Sequence, residues 1–223
     1  MTLPPRPDQT AAHPRIVIFG GSFDPVHSGH VAIAELMNSL LNPTQLRIIP
    51  TGWSLQKNAF HANSTHRLAM LALAFKELAG KVPVVIDEQE IKRAELGMPS
   101  YSVETLTHLR NEYGNDASLV FLIGADQLQQ LQHWKNWTNL FNLAHIVIIQ
   151  RPGFDPNMLD RSVANEISGR TGSLDQLRTQ PFGCTFTCTD LNIDISSTQI
   201  RNRNNLSAVP VDVLNYIQQH QLY

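Results

Sequence analysis

The sequence predicts an α/β fold: a mostly parallel sheet with helices on both faces. Three observations predict it. Several short runs are wholly apolar, above all Ile16-Val17-Ile18-Phe19, Leu119-Val120-Phe121-Leu122-Ile123 and Ile146-Val147-Ile148-Ile149. Strands buried on both faces read this way, whereas a half-exposed antiparallel strand alternates. Segments of helical period separate these runs, which is the signature of crossover connections. The third is size: 223 residues with formal net charge -2 can bury a full core as one domain without staples.

In chain order, residues 1–14 are Pro-rich and polar, with no apolar centre, and read as a disordered tail rather than a secretory signal. The single domain is expected over 15–223. Arg15 to Phe19 is the first strand, and Val31 to Met37 lies in the first helix. Leu46 to Pro50 is the second strand, and Thr51 to Asn63 an irregular loop. Thr65 to Ala79 carries Leu68, Leu71, Ala72, Phe75 and Leu78 at helical spacing, with Gly80 as the stop. Pro83 marks the first residues of the strand ending at Ile86, or a strand at an edge. Asp87 to Pro99 is charged and poorly patterned. Tyr101 to Tyr113 reads as a helix with Ser102 as N-cap. After the strands at 119–123 and 145–149, Asp155 to Gly169 has helical character and Phe182 to Thr189 is a strand. Ser197–Arg203 and Val211–His220 are the last helices.

Near-neutral charge without a basic run gives no support to a nucleic-acid partner, and no apolar run approaches membrane-spanning length. Cys184 and Cys188 fall four apart in one strand, too far along it to bridge, so they read as packing residues in a reducing cytoplasm.

The chemistry gathers at Gly20-Gly21-Ser22-Phe23-Asp24-Pro25-Val26-His27-Ser28-Gly29-His30, between the first strand and first helix. Glycines let backbone N–H groups approach a ligand, and the helix start supplies unpaired donors and positive dipole. His27 and His30, three apart, share a face of the first turn. A phosphate-handling site is the reading. There is no G-x-x-x-x-G-K-[ST] and no G-x-G-x-x-G, so neither a P-loop nor a dinucleotide-cofactor loop fits. No nearby Cys, His or acid completes a zinc set with the two histidines. A second stretch, Ile195-Ser196-Ser197-Thr198-Gln199-Ile200-Arg201, fits a capping box through Ser196 and Gln199.

The first stretch resembles the signature of the nucleotidyltransferase superfamily with an H-x-G-H core, and the second is similar to that superfamily's I-S-S-T-x-I-R. Pro99-Ser100-Tyr101-Ser102-Val103-Glu104-Thr105-Leu106, Phe121-Leu122-Ile123-Gly124-Ala125-Asp126, Trp134 and Arg151-Pro152-Gly153 narrow the resemblance to bacterial nicotinate-mononucleotide adenylyltransferases. The segment Asp87-Glu88-Gln89-Glu90 is similar to the family's acidic stretch. The resemblance runs from Ile16 to the C-terminus and implies a Rossmann-like sheet of nucleotidyltransferase type. It implies adenylyl transfer from ATP, with Mg²⁺, to nicotinate mononucleotide, a step of NAD biosynthesis.

Carried over residue by residue, the resemblance puts ATP against Gly20, Gly21, Ser22, Phe23, Asp24, His27, His30, Gly124, Asp126, Ile195, Ser196, Ser197, Thr198 and Arg201. Charge stabilisation falls to His27, His30, Lys57 and Arg201. The mononucleotide would meet Gly52, Lys57, Ser102, Thr105, Trp134, Lys135 and Arg151. Trp134 offers a face for the pyridine ring, or a packing surface. Ser102 and Thr105 bond the nicotinate or its ribose, or simply cap their helix; Asp126 takes a ribose hydroxyl or caps the next helix; Gly52 allows close approach or a turn. Arg67 pairs with phosphate or with surface acids. One segment departs from the family: Ser54-Leu55-Gln56-Lys57 stands where Pro-Pro-His-Lys is usual, keeping the cation but losing the imidazole. The rival readings are nicotinamide mononucleotide or phosphopantetheine as acceptor, and a non-catalytic adenine-nucleotide sensor.

Overall fold

The computed structural model describes residues 13–53, 60–150, 153–189, 195–203 and 206–223. Lys57 and Arg151 lie outside them, as does nearly all of the N-terminal tail. Among the described residues, Pro14 already belongs to the fold, since its carbonyl accepts from Ser118 N–H at 2.8 Å.

Six strands form one sheet in the order β3-β2-β1-β4-β5-β6, every pair parallel: β1 Arg15–Gly21, β2 Gln45–Pro50, β3 Val84–Ile86, β4 Ser118–Gly124, β5 His145–Ile149 and β6 Thr185–Cys188. The expected strands are all present, with the Pro83 strand at an edge. The connecting helices are α1 Ser28–Leu41, α2 Ser64–Ala74, α3 Lys76–Ala79, α4 Gln89–Glu95, α5 Ser102–Tyr113, α6 Ala125–Leu128, α7 Leu140–Leu143, α8 Arg161–Gly169, α9 Leu174–Thr179, α10 Ser197–Arg203 and α11 Val211–Gln219. Among the described residues, no helix is long and apolar enough to cross a membrane.

The two-residue period of β1 divides the core. Val17 and Phe19 face one apolar cluster, filled by Ile33 and Met37 of α1, Met70 and Leu71 of α2 and Val213 and Ile217 of α11. Ile16 and Ile18 face the other, filled by Val103, Leu106 and Leu109 of α5, Phe141 of α7 and Val163 of α8. Helices therefore cover both faces, as a sheet of apolar strands requires.

Several elements differ from the sequence expectation. The charged 87–99 stretch contains α4, whose buried residues are only Glu90 and Ile91; so narrow a face gives little periodic signal. Helix 65–79 is split at Phe75, whose ψ of 7° interrupts the α geometry between α2 and α3. Tyr101, not Ser102, is the N-cap of α5; Ser102 is the first helical residue. Helix α9 answers to no expected element, although Ser173 and Gln176 form its capping box.

Cys184 and Cys188 are both buried and form no disulfide. His145 is structural too. Its Nδ1 accepts from Cys184 N–H at 3.1 Å, which places its proton on Nε2, 2.8 Å from the Gln180 carbonyl oxygen. Burial lowers the pKa of that imidazole.

Candidate functional site

The strand order reverses beside β1, with β2 on one side and β4 on the other. Open parallel sheets leave a crevice beyond the carboxyl ends of their strands at such a switch point. Here the crevice is a cavity of about 660 Å³, within the range of small-molecule sites. Its floor comes from the ends of β1 and β4, including Gly20, Gly21, Ile123 and Gly124.

The motif around α1 forms one wall. His27 is the N-cap of α1 and is buried. Its N–H donates to His30 Nδ1 at 3.2 Å, and the two rings stack with centroids 3.7 Å apart. Because His30 Nδ1 accepts, its proton sits on Nε2 in the neutral ring. Phe23 meets the His30 ring edge-on at 4.9 Å. His30 is thus fixed by its cap bond and by aromatic packing, and it lines the cavity.

The C-terminal motif closes on the same loop. The Ser197 hydroxyl donates to the Pro25 carbonyl at 2.9 Å, and the Arg201 guanidinium donates to the Asp24 carbonyl oxygen. Arg201 also reaches Thr198 Oγ1 at 3.3 Å. The capping box is present as well: Ser196 Oγ accepts from Gln199 N–H, and Gln199 Oε1 accepts from Ser196 N–H. It sets the start of α10, so the capping and the site-forming readings of this segment coexist.

Asp24 lies on the cavity wall, but its carboxylate is directed inward. It is 3% exposed, and its two oxygens accept from His61 N–H at 2.8 Å and Ala62 N–H at 3.0 Å. The Tyr223 hydroxyl donates to Asp24 Oδ1 at 2.6 Å. Burial, and then the Asp24 carboxylate, push the Tyr223 phenol far above its ordinary pKa. Asp24 therefore acts as a strut that joins the loop after β1 to the residues entering α2. Hydrogen bonds to charged groups contribute about 1.5–3 kcal/mol. Tyr223→Phe is expected to lower unfolding stability by that amount in urea melts; an unchanged midpoint would show the bond to be idle.

Arg67 is engaged by the backbone rather than by a surface acid. It is buried, donates to the carbonyls of Ser22 at 2.9 Å and Thr51 at 2.8 Å, and covers the Phe60 ring at 4.0 Å. Burial lowers its pKa, and the charges of Asp24 and Tyr223 oppose that effect. It pins the ends of β1 and β2 together beneath the cavity.

The opposite wall is built from α4, α5 and the turn after α6. Tyr101, Ser102, Thr105, Trp134 and Lys135 line the cavity there, and Asp126 stands at the end of β4. The Lys135 ammonium pairs with Glu104 at 2.7 Å and lies over the Tyr101 ring at 4.3 Å. The Thr105 hydroxyl donates to Glu90 Oε1 at 2.8 Å, so it does not cap α5.

Gly52 and Ile195 are not on the wall of this cavity. A Cβ on Gly52 would stand 1.9 Å from the Glu90 carbonyl oxygen, so the close approach that glycine permits is to the backbone of α4. Sequence reading passed over Glu90, His61 and His133 as wall residues. Glu90 lay within the acidic stretch quoted above, which was the available signal. The histidines had none.

A model of the family described as cytidylyltransferase-like matches residues 18–203. A probable nicotinate-nucleotide adenylyltransferase of Herminiimonas arsenicoxydans is 45% identical over 215 residues, covering 93% of this chain and 96% of the relative. A probable nicotinate-nucleotide adenylyltransferase of Laribacter hongkongensis is 38% identical over 217 residues, covering 94% and 96%. Among solved structures, the Plasmodium falciparum nicotinic acid mononucleotide adenylyltransferase complexed with NaAD superposes with a TM-score of 0.70. That match is 18% identical, spans 95% of this chain and 98% of the other, and shows a shared fold.

Proposed function

Because this chain belongs to the cytidylyltransferase-like family, and within it to the nicotinate-nucleotide adenylyltransferases, we propose that it adenylates nicotinate mononucleotide in NAD biosynthesis. A phosphate oxygen of the mononucleotide attacks the α-phosphorus of ATP. The bond from that phosphorus to the β-phosphate bridging oxygen breaks, pyrophosphate leaves, and nicotinate adenine dinucleotide remains.

The observation that carries this reading is the junction of two distant motifs at one cavity, through Ser197 to Pro25 and Arg201 to Asp24. The attacking phosphate is already an anion at neutral pH, so no strong base is needed. The protein's work is positioning and charge stabilisation. In this assignment ATP lies against Gly20, Gly21 and Ser22, with its phosphates between His30 and the start of α10. His27, His30 and Arg201 meet the charge that develops on them. Lys57 adds a further cation and Arg151 meets the mononucleotide, both by family resemblance alone. Asp126 accepts from a ribose hydroxyl. Trp134 stacks on the pyridine ring, with Ser102 and Thr105 beside it and Lys135 backbone N–H facing its carboxylate.

Among the described residues, no group of three or more His, Cys, Asp or Glu converges as a metal cage. The donors suit a Mg²⁺ that arrives with ATP and keeps phosphate oxygens and water as ligands. When bound, it neutralises triphosphate charge. The reaction so proposed is a cytoplasmic one.

The test is pyrophosphate release from ATP with nicotinate mononucleotide, nicotinamide mononucleotide and phosphopantetheine offered in parallel. Release is expected with the first in preference to the others. No release with any of them would leave a nucleotide sensor and overturn the reading.

A further inference from the structure

The wall that faces the pyridine ring contains a carboxyl group to which the reaction gives no work. Glu90 is 8% exposed. Its Oε1 accepts the Thr105 hydroxyl at 2.8 Å and lies 3.8 Å from Arg93 Nη2. Arg93 also donates to Thr105 Oγ1. Ser100 gives Glu90 a further hydrogen bond. Glu90, Ser100 and Thr105 all line the cavity.

A hydroxyl has one proton and two lone pairs. With Glu90 ionised, Thr105 spends its proton on Glu90 and one lone pair on Arg93. Only a lone pair is left to face a ligand. That suits an amide N–H and repels a carboxylate. With Glu90 neutral, the carboxyl O–H donates to Thr105, and the Thr105 proton is released toward the ligand. That suits a carboxylate.

We propose that Glu90 is a positioning residue that sets the direction of the Thr105 hydroxyl proton and thereby selects the acid over the amide mononucleotide. This rests on the reading of the Thr105 wall as the pyridine site. The charges acting on Glu90 are Arg93 on its own helix and Asp87 at the end of β3, while α5 presents Thr105 and the preceding segment Ser100. His61, His133 and Lys135 stand elsewhere on the cavity wall. Burial is the strongest influence and raises the Glu90 pKa; Thr105, Ser100 and Arg93 oppose it, and Asp87 adds to it.

The sign follows. The carboxylate substrate binds the form with protonated Glu90, which is populated below the raised pKa. As pH climbs through that pKa, KM for the acid rises, approaching tenfold per unit (about 1.4 kcal/mol), while KM for the amide does not. The acid-to-amide ratio of kcat/KM cancels the titration of the phosphate that both substrates carry.

The experiment measures that ratio from about pH 6 to about pH 9, a span chosen around neutrality, for the unaltered protein and for Glu90→Gln. The Gln amide donates to Thr105 at every pH. In the unaltered protein the ratio is expected to fall as pH rises, through KM rather than kcat; in Glu90→Gln it is expected to stay level and in favour of the acid. Parallel pH profiles for the two proteins, or loss of acid preference in Glu90→Gln, would overturn the proposal. A second measurement needs no variant. Calorimetry in buffers of different ionisation enthalpy should show more proton uptake on binding the acid than the amide above the Glu90 pKa; equal uptake overturns the proposal. Absence of turnover with nicotinate mononucleotide in the unaltered protein is a different result, and it strikes the reading of the site itself.

Discussion

His30→Ala is expected to lower the rate of pyrophosphate release by about 10²–10³-fold, the usual effect of deleting one donor aimed at developing charge. The expectation rests on the proton held at His30 Nε2. The bond from His27 N–H to His30 Nδ1 leaves no other position for it in the neutral ring. Phe19 and Phe23 border the ring, with centroids 5.8 Å and 4.9 Å away, so the donor is held in place before ATP arrives. The variant leaves the His27 N–H without its side-chain acceptor at the start of α1, at a cost of about 0.5–2 kcal/mol. A fold of this size survives that loss, and the Tm should fall by only a few degrees. Single-turnover rates and a thermal melt on the same sample separate the two effects. Near-normal turnover would remove His30 from the charge-stabilising role.

Arg67→Met is expected to act in the opposite sense, on the fold before the chemistry. Arg67 is 2% exposed and donates to two carbonyls, Ser22 and Thr51, at the ends of neighbouring strands. Met fills much of the volume but donates nothing. Two carbonyls then stay buried without their donor, at about 1–3 kcal/mol each. A total near 3 kcal/mol corresponds to a Tm lower by about 6–12 °C for a chain of this length. The Phe60 ring also loses the cation over its face, and Asp24 and Tyr223 lose a nearby positive charge. A Tm within about 2 °C of the parent, a shift below 1 kcal/mol at this length, would show that water or another donor satisfies those carbonyls. Arg67→Lys tests the same point from the other side: it keeps the charge but not the fork that spans two acceptors.

These two residues mark how far the sequence could be read. The strands at 119–123 and 145–149 were legible because a strand covered on both faces must be apolar throughout, and no other short element writes so plain a pattern. The two motifs at 20–30 and 195–201 were legible because glycines, histidines and an arginine at fixed spacing make a pattern that packing alone does not require. Arg67 was not legible. Its partners are backbone carbonyls brought near by sheet pairing, and carbonyls have no residue identity. Asp24 was assigned to ATP because it sits inside the motif, yet its oxygens are taken up by His61, Ala62 and Tyr223, contacts spanning 37, 38 and 199 positions. Helix α4 was missed because one of its two buried residues is an acid, and an acid on the inner face erases the apolar stripe on which helix reading depends. Gly52 was noticed for a turn or a close ligand approach; the backbone it meets belongs to that unread helix.

The bond between Asp24 and Tyr223 also bears on the order in which a growing chain becomes competent. Translation delivers β1 and the histidine motif early. Ser197 and Arg201, which close on Pro25 and Asp24, follow some 170 positions later, and Tyr223 later still. A domain generally folds as a unit, so the loop that ends β1 lacks its partner wall until residues 197–201 have been made. A ligand held by both motifs would stabilise the folded protein by mass action and would give no such support to a chain that still lacks the second of them.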